Sequence, residues 1–242
     1  MEEKRAVVTL CIGETAERYA EFTHQPMKEY AKRLNADFIV YNKQVVNFKE
    51  AKNFNPLLFE KYQVHDTLGT YDRVLFLDTD ILVTPNAPDI FKITPVGKIG
   101  CVLEDFGTEM DDRRKIIKKV QEVLGDVDWS EGFMNSGVFV VSKIHRDVFR
   151  MYKVHGFYDG EYEQTNTNWY IKKAGFEFFS LNYKFNFMGL MRVYYGPEHR
   201  EAYFIHYAGK GGLFPWVEKI EQVKNDYEFF YENKNVKSFE EL

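Results

Sequence analysis

The chain has 242 residues, and its 45% hydrophobic and 29% charged residues are the balance of a folded globular protein, which excludes global disorder. Its 32 Lys and Arg residues against 37 Asp and Glu residues give a net charge of −5, which argues against a dedicated nucleic-acid-binding protein because that function needs a basic face. No stretch approaches the roughly 18 apolar residues of a membrane span, and the N-terminus lacks the apolar core of a signal peptide.

Strands and helices alternate along the first part of the chain. Short apolar runs rich in β-branched residues predict buried strands, and apolar stripes at helical spacing predict helices between them. These patterns predict strands at 6–12, 37–41 and 73–77 and helices at 16–34 and 56–68. Pro26 interrupts the first helical stretch and predicts a kink or a new start there. The alternation predicts an α/β fold with a mostly parallel central sheet flanked by helices.

The second part of the chain continues the α/β pattern without an internal repeat or a flexible linker. It predicts strands at 99–103, 138–142, 176–180 and 203–206 and helices at 109–124, 145–154, 164–174 and 216–231. We therefore expect one domain over residues 1–242. The two cysteines, Cys11 and Cys101, lie in apolar runs and are expected to be buried free thiols, which favours a reduced, cytoplasmic protein.

The strongest local signal is Asp78-Thr79-Asp80, which directly follows the predicted strand 73–77. Burying either carboxylate alone costs several kcal/mol, and a hard divalent cation at the strand end removes that cost. Two chemistries use this layout: a haloacid-dehalogenase-type phosphohydrolase with Asp78 as nucleophile, and glycosyl transfer, in which the metal neutralises a departing diphosphate. The phosphohydrolase motif requires Thr or Val where this chain has Leu82, which favours glycosyl transfer.

A second signal lies near the end of the chain, where His206 ends a predicted strand and a glycine-rich loop follows. An imidazole beside two carboxylates makes a third ligand suited to Mn²⁺. Gly209 and its neighbouring glycines let backbone N–H groups approach phosphate oxygens, and Lys210 adds a positive charge. The remaining histidines lie in helical or polar stretches and are expected at the surface: His24, His65, His145, His155 and His199.

Taken together and in order, these segments resemble the retaining glycosyltransferases of family 8, the group of glycogenin and bacterial lipopolysaccharide galactosyltransferases, which have a Rossmann-like GT-A fold. The matching segments are Val8–Ile12 followed by Tyr19, Lys61, Asp78-Thr79-Asp80, Asn135-Ser136-Gly137, Glu163-Gln164 with Asn168, and His206, Gly209 and Pro215-Trp216. The closing segment departs from the family pattern, because it is two residues longer and its lysine, Lys210, directly follows the glycine.

The resemblance implies transfer of a sugar from a nucleoside-diphosphate sugar, with UDP as the nucleotide, to a carbohydrate or other hydroxyl-bearing acceptor, with retention. It implies a metal, Mn²⁺ or Mg²⁺, held by Asp78, Asp80 and His206. Around the donor sugar it implies catalytic positions at Asn135, Glu163 and Gln164, and either Glu104 or Asp105 would accept hydrogen bonds from the sugar hydroxyls. The full set of expected donor-binding residues is Thr9, Leu10, Cys11, Ile12, Tyr19, Lys61, Thr79, Glu104, Asp105, Ser136, Gly209 and Lys210.

The nucleotide-binding part is expected at about residues 1–105 and the acceptor and closing part at about 106–242. No nucleic acid and no membrane span are expected, and the oligomeric state is open. A non-catalytic nucleotide- or carbohydrate-binding protein on the same scaffold is the other alternative. A broken metal site would favour that alternative, and here Asp78, Asp80 and His206 are all present.

Overall fold

The computed structural model of the chain describes residues 3–49, 52–53, 55–106, 110–196, 198–232, 234 and 236–239. Its strands are β1 (Arg5–Leu10), β2 (Ala36–Tyr41), β3 (Arg73–Leu77), β4 (Ile81–Val83), β5 (Ile99–Leu103), β6 (Met134–Ser142), β7 (Phe178–Ser180) and β8 (Phe204–His206). Its α-helices are α1 (Glu14–Arg33), α2 (Val64–Thr70), α3 (Ile90–Ile93), α4 (Met110–Leu124), α5 (Tyr152–His155), α6 (Glu163–Lys173), α7 (Gly189–Tyr195) and α8 (Lys219–Tyr231). Segments of 3₁₀-helix span Pro56–Gln63, Lys143–Arg150, Tyr183–Asn186 and His199–Glu201.

Six strands form the central sheet, in the order β2-β1-β3-β6-β5-β7. The pairs β1–β2, β1–β3 and β5–β7 are parallel, whereas β6 runs antiparallel to both β3 and β5. Five strands therefore share one direction, which confirms the predicted α/β fold with a mostly parallel sheet. A separate two-stranded sheet pairs β4 with β8 in antiparallel fashion.

The reversed direction of β6 decides what lies at the edge where β3 and β5 end. Because β6 enters the sheet at that edge, its first residues meet the residues that leave the neighbouring strands. The backbone N–H of Asp78 donates to the carbonyl oxygen of Gly137 at 2.8 Å, and that of Glu104 donates to Phe133 at 2.8 Å. Polar side chains from three strands are thus collected at one edge of the sheet.

The sheet separates two apolar layers because side chains alternate along each strand. Within β3, Leu75 and Leu77 belong to one buried cluster and Val74 and Phe76 to the other. Helices α1 and α8 pack on the first face, and α2, α4 and α6 pack on the second. The central strands are therefore buried on both faces, which is why they read as continuous apolar runs in the sequence.

Several local predictions differ from the structure. Helix α1 continues through Pro26 and does not start again there. The proline costs one backbone hydrogen bond, and the buried side chains of Met27 and Tyr30 offset that loss. The predicted helix at 56–68 begins as 3₁₀-helix and becomes α-helix only from Val64. The predicted strand at 203–206 is β8, which pairs outside the central sheet. Strand β4 and helix α7 were not predicted, and Glu109, the expected first residue of α4, lies outside the described residues.

Three histidines expected at the surface are buried. His145 is fully buried, His199 is 1% exposed and His65 is 8% exposed. Each ring has a polar partner: a backbone N–H for His145, Asp226 for His199 and Asp66 for His65. A single polar residue within a helical stretch does not reveal such a partner, so the sequence alone misplaced these rings.

Both cysteines are free thiols, as predicted, although Cys11 is only half-buried. In the part of the chain that the structure describes, no helix has the length and apolar character to cross a membrane.

Candidate active site

A cleft of about 1260 Å³ lies at the edge where β3 and β5 end and β6 begins. Residues from distant parts of the chain line it. They include Leu10 at the end of β1, Asp78 after β3, Glu104 after β5 and Asn135 in β6. Ligands of open α/β sheets bind beyond the carboxyl ends of the parallel strands, and this cleft is in that position. A volume above the usual range for small-molecule pockets leaves room for two substrates.

Asp78, Asp80 and His206 meet at the floor of this cleft and form an Asp–Asp–His cluster. Asp78 and Asp80 flank the turn between β3 and β4, and His206 is paired with Ile81 in the β4–β8 ladder. One ligand atom from each residue lies within 4.8 Å of the others. The Nε2 atom of His206 is 3.4 Å from Oδ1 of Asp80 and 4.0 Å from Oδ2 of Asp78. Two carboxylates and an imidazole are a donor set that Mn²⁺ accepts, so the residues fit the expected metal.

The two carboxylates of the cluster have different electrostatic surroundings. Burial is the largest influence on each and raises its pKa. For Asp80, the hydrogen-bonding and electrostatic interactions with His206 and Lys219 outweigh burial, so its pKa lies below the ordinary value. For Asp78, the attraction of Lys61 and His206 is insufficient and the pKa remains raised. Asp78 is therefore the carboxylate of the cluster whose charge its own surroundings favour less.

Beneath Asp78 lies a buried ion pair. Lys61 is 1% exposed, and its Nζ atom is 2.7 Å from Oε1 of Glu163 and 3.4 Å from Oδ1 of Asp78. The hydroxyl of Ser136 donates to the same Glu163 oxygen at 2.6 Å. Burial alone would lower the pKa of Lys61, but Asp78 and Glu163 outweigh it and the pKa is raised. Lys61 and Glu163 therefore hold Asp78 and the start of β6 in place.

Glu104, Asn135 and Gln164 line the adjoining part of the cleft. The Asn135 side-chain amide donates to Oε1 of Glu104 at 2.6 Å, and Oε1 of Gln164 accepts from the backbone N–H of Ser136 at 3.4 Å. Nε of Arg113, in α4, donates to the other oxygen of Glu104. These polar groups surround a space next to the Asp–Asp–His cluster and offer it both hydrogen-bond donors and acceptors.

Most of the expected donor-binding residues line the cleft, but three do not. Thr9 is fully buried in β1, because alternation along the strand turns Leu10 toward the cleft and Thr9 away from it. Cys11 is half-buried outside the lining. Asp105 accepts hydrogen bonds from the backbone N–H groups of Gly132 and Phe133 at 2.7 and 2.6 Å, so its carboxylate holds the chain before β6. Of the two acids after β5, only Glu104 faces the cleft.

The other expected residues are distributed along the cleft. Those that line it are Leu10, Ile12, Tyr19, Lys61, Thr79, Glu104, Asn135, Ser136, Glu163, Gln164, Gly209 and Lys210, with the three residues of the Asp–Asp–His cluster. Thr79 also ties the turn to α1, because its carbonyl oxygen accepts from the hydroxyl of Thr23 at 2.8 Å.

Sequence reasoning missed Lys219, the first residue of α8. Its Nζ atom donates to the carbonyl oxygen of Tyr207 at 2.8 Å and lies 3.4 Å from Oδ2 of Asp80. Lys210 also lines the cleft but is exposed. Lys219 lies three residues after the Pro215-Trp216 segment. A second lysine just beyond that segment was the only feature of the sequence that could have indicated this contact.

Exposed apolar side chains form the mouth of the cleft, and α7 supplies two of them. Val193 and Tyr194 in α7 are 75% and 49% exposed, Trp216 is 66% exposed and Tyr162 is 59% exposed. The guanidinium of Arg192 lies 5.7 Å from the centre of the Trp216 ring and supports it. Exposed apolar side chains that cluster at one cleft mark a binding surface.

The model of glycosyl transferase family 8 matches residues 8–219 of the chain. No curated protein matches its sequence.

Similar solved structures include the galactosyltransferase LgtC in complex with donor and acceptor sugar analogues, at 18% identity and a TM-score of 0.62, with 97% of this chain and 98% of that chain covered. A glycosyltransferase involved in glycosylation of the major capsid of PBCV-1 is 18% identical, with a TM-score of 0.60, and the match covers 93% of this chain and 99% of that chain. The glycosyltransferase GlyE of Streptococcus pneumoniae TIGR4 is 15% identical, with a TM-score of 0.54 and coverage of 98% and 65%.

At these identities the solved structures establish the fold, a GT-A fold, and the family model establishes the family. The family match extends from β1 to Lys219 beside the Asp–Asp–His cluster. The chain therefore belongs to glycosyl transferase family 8 and is a glycosyltransferase.

Proposed function

We propose that this glycosyltransferase moves a sugar from a UDP-sugar to a hydroxyl of an acceptor, with retention, and that Asp78, Asp80 and His206 hold Mn²⁺ or Mg²⁺. The observation that carries the proposal is the convergence of these three side chains within 4.8 Å at the floor of the cleft. When bound, such an ion acts as a Lewis acid that neutralises the departing diphosphate. Family membership favours this reaction over a phosphohydrolase, and the complete cluster favours an enzyme over a non-catalytic binding protein.

The nucleotide lies, in this proposal, along the part of the cleft formed by β1 and α1. Leu10, Ile12 and Tyr19 line that part and offer apolar and aromatic surface to a base. Lys219 is the cation best situated for the diphosphate, because its Nζ atom already lies beside Asp80. Diphosphate oxygens would replace Asp80 as its partner once Asp80 binds the metal. Lys210 and the amides of the loop around Gly209 supply further donors at the rim.

The donor sugar occupies the space bounded by Glu104, Asn135 and Gln164. Glu104 accepts hydrogen bonds from sugar hydroxyls, and the amides of Asn135 and Gln164 both donate and accept. Glu163 acts from below, through its contacts with Lys61 and Ser136. We assign no protein nucleophile, so the proposal of retention depends on the family resemblance alone.

The acceptor lies at the mouth of the cleft and is a carbohydrate. The exposed rings of Tyr162, Tyr194 and Trp216 support this part of the proposal, because aromatic faces stack on the apolar faces of sugar rings. LgtC has been solved in complex with donor and acceptor sugar analogues, and that protein has the same fold.

A thermal-shift panel tests the proposal directly. The chain is heated with each of several nucleotide sugars, with and without Mn²⁺, and a ligand that binds the native state raises the melting temperature by mass action. We expect a UDP-sugar to raise the melting temperature only when Mn²⁺ is present. In a separate assay, the protein with that UDP-sugar and Mn²⁺ should release UDP when a saccharide acceptor is added. Equal shifts with and without metal for every nucleotide sugar would contradict the metal assignment, and a preference for another nucleotide would contradict UDP.

A further inference from the structure

A chain of hydrogen-bonded side chains connects Glu104 to His206, and of its members only Asn186 lies outside the lining of the cleft. All four members are buried, with exposures of 2% for Glu104, 7% for Asn135, 0% for Asn186 and 4% for His206. The Asn135 amide nitrogen is 2.6 Å from Oε1 of Glu104, the Asn186 amide nitrogen is 2.8 Å from Oδ1 of Asn135, and Nδ1 of His206 is 2.8 Å from Oδ1 of Asn186. Asn186 ends a 3₁₀-helix and has no part in the function proposed above.

The direction of donation along this chain is determined at Asn135. An ionised carboxylate only accepts hydrogen bonds, and Glu104 is paired with the guanidinium of Arg113. A backbone N–H only donates, and the N–H of Gly137 lies 2.9 Å from Oδ1 of Asn135. Asn135 must therefore turn its amide nitrogen toward Glu104 and its oxygen toward Gly137. A flipped amide would oppose two oxygens at one end and two N–H groups at the other.

The orientation of Asn186 follows from that of Asn135. Because Oδ1 of Asn135 accepts, the Asn186 group beside it must be the amide nitrogen, and the Asn186 oxygen then faces His206. A carbonyl oxygen cannot donate, so the Nδ1 atom of His206 must carry the proton. The competing arrangement would put the proton on Nε2 and direct it at Asp80, across the longer distance of 3.4 Å.

We propose that Asn186 is a positioning residue that keeps the proton of the neutral His206 imidazole on Nδ1 and leaves the lone pair of Nε2 directed at Asp78 and Asp80. Its consequence for metal binding rests on the proposed function, whereas the tautomer itself does not. Partners on the far side of a ligating histidine orient the ring and set which nitrogen is available, and their loss costs about 10- to 100-fold in metal affinity.

The wild-type protein supplies the first test, without any variant or substrate. Long-range ¹H–¹⁵N correlation spectra are recorded at about pH 8, above the ordinary histidine pKa of about 6.5, and the His206 signals are assigned by their loss in His206→Gln. We expect the ¹⁵N shift of Nδ1 to be that of a protonated ring nitrogen and that of Nε2 to be that of an unprotonated one. A protonated Nε2 with a bare Nδ1 would overturn the proposal, even if the enzyme transfers sugar as proposed.

Two substitutions of Asn186 provide the second test. Asn186→Asp keeps an oxygen acceptor beside Nδ1 but loses the N–H that donates to Asn135, and Asn186→Leu has a similar volume and neither group. We expect the proton to remain on Nδ1 in the Asp variant and to move to Nε2 in the Leu variant. The Mn²⁺ affinity, measured by calorimetry, should fall about 10- to 100-fold in the Leu variant only. A Leu variant with the wild-type tautomer and affinity would overturn the proposal. If that variant does not fold, the wild-type spectrum and the Asp variant still decide it.

Discussion

His206 packs directly on Gly137: a Cβ atom built on that glycine would lie 2.4 Å from Cε1 of the imidazole. It would also lie 3.0 Å from Oδ2 of Asp78, so the glycine is required here for close approach of the two side chains. The imidazole reaches the Asp–Asp–His cluster only because the residue beneath it has no side chain.

Gly137→Ala is therefore expected to displace the imidazole and lower the Mn²⁺ affinity by at least about tenfold. Removing a residue that orients a metal-binding histidine lowers the affinity by a similar factor. Calorimetry of Mn²⁺ binding in the presence of UDP measures this effect. Gly97→Ala is the matched control, because a Cβ at Gly97 meets nothing within 4 Å. Wild-type affinity in Gly137→Ala would show that His206 does not ligate the metal.

Replacing Asp80 with Asn tests the carboxylate that lies closest to His206. A neutral amide is a poor ligand for a hard cation, so we expect Asp80→Asn to weaken Mn²⁺ binding by more than about tenfold and to abolish most metal-dependent turnover, while the fold remains. Asp147→Asn is the control, since that side chain is 98% exposed. Unchanged Mn²⁺-dependent turnover in Asp80→Asn would remove Asp80 from the metal site.

Lys210 and Lys219, the two lysines beside the end of the cleft where β8 terminates, are expected to differ in their contribution to UDP binding. Lys219 is held beside Asp80, next to the diphosphate position that we propose, whereas Lys210 is exposed. We expect Lys219→Ala to weaken metal-dependent UDP binding about 10- to 100-fold, since a hydrogen bond to a charged group contributes about 1.5–3 kcal/mol. Lys210→Ala should weaken it less than about threefold, because exposed charges contribute little. Calorimetry measures the UDP affinity of both variants. A larger loss of affinity in Lys210→Ala than in Lys219→Ala would mean that Lys210 binds the diphosphate.

Trp216 is expected to contribute to acceptor binding and not to donor binding. Trp216→Ala should raise the KM for a saccharide acceptor about three- to tenfold, the effect of one aromatic contact, and leave the KM for the nucleotide sugar unchanged. Phe229→Ala, a partly exposed ring in α8 outside the cleft lining, is the control. Steady-state kinetics with each substrate varied in turn separates the two constants. If Trp216→Ala changed only the KM for the nucleotide sugar, the acceptor would not bind at this mouth of the cleft.

Asp226 in α8 is expected to give the protein a stability that is lost at acidic pH. Its buried carboxylate accepts from Nε2 of His199, from Nε of Arg200 and from the hydroxyl of Tyr207 at 2.8–3.1 Å. Burial alone would raise the pKa of Asp226, but His199 and Arg200 outweigh it and the pKa is lowered. A lowered pKa means that this stability is complete above the ordinary carboxylate pKa of about 3.9 and disappears as the pH falls through the lower folded value.

Asp226→Asn should therefore lower the free energy of unfolding by about 3–5 kcal/mol at neutral pH, as expected when one partner of a buried ion pair is removed. Urea denaturation of both proteins, repeated down to about pH 3, measures the difference. The gap between them should narrow below about pH 4. A gap that is independent of pH would mean that the charge of Asp226 contributes nothing to stability.

The local parts of this structure could be predicted from the chain alone. Apolar runs located the central strands because these strands are buried on both faces, and the acids after one of them indicated a ligand site. The roles of Asn135 and Gln164 were indicated only by the resemblance to a family, because each is an ordinary polar residue in a turn or helix. Thr9 and Asp105 were also expected beside the donor. In the structure, Thr9 is buried in β1 and Asp105 accepts two backbone hydrogen bonds, so neither side chain lines the cleft.

The sequence by itself determined the α/β class, the strand that ends just before Asp78 and the residue types suited to a divalent cation. Only the tertiary structure decided which of them meet. The antiparallel pairing of β4 with β8 brings His206 to Asp80, the reversal of β6 brings Asn135 to Glu104, and α8 directs Lys219 into the cleft. Periodicity reports whether a residue faces the core of its own segment, but it contains no information on the order and direction of strands far apart in the chain. Those pairings are set by packing of the whole core, and the site is built from them.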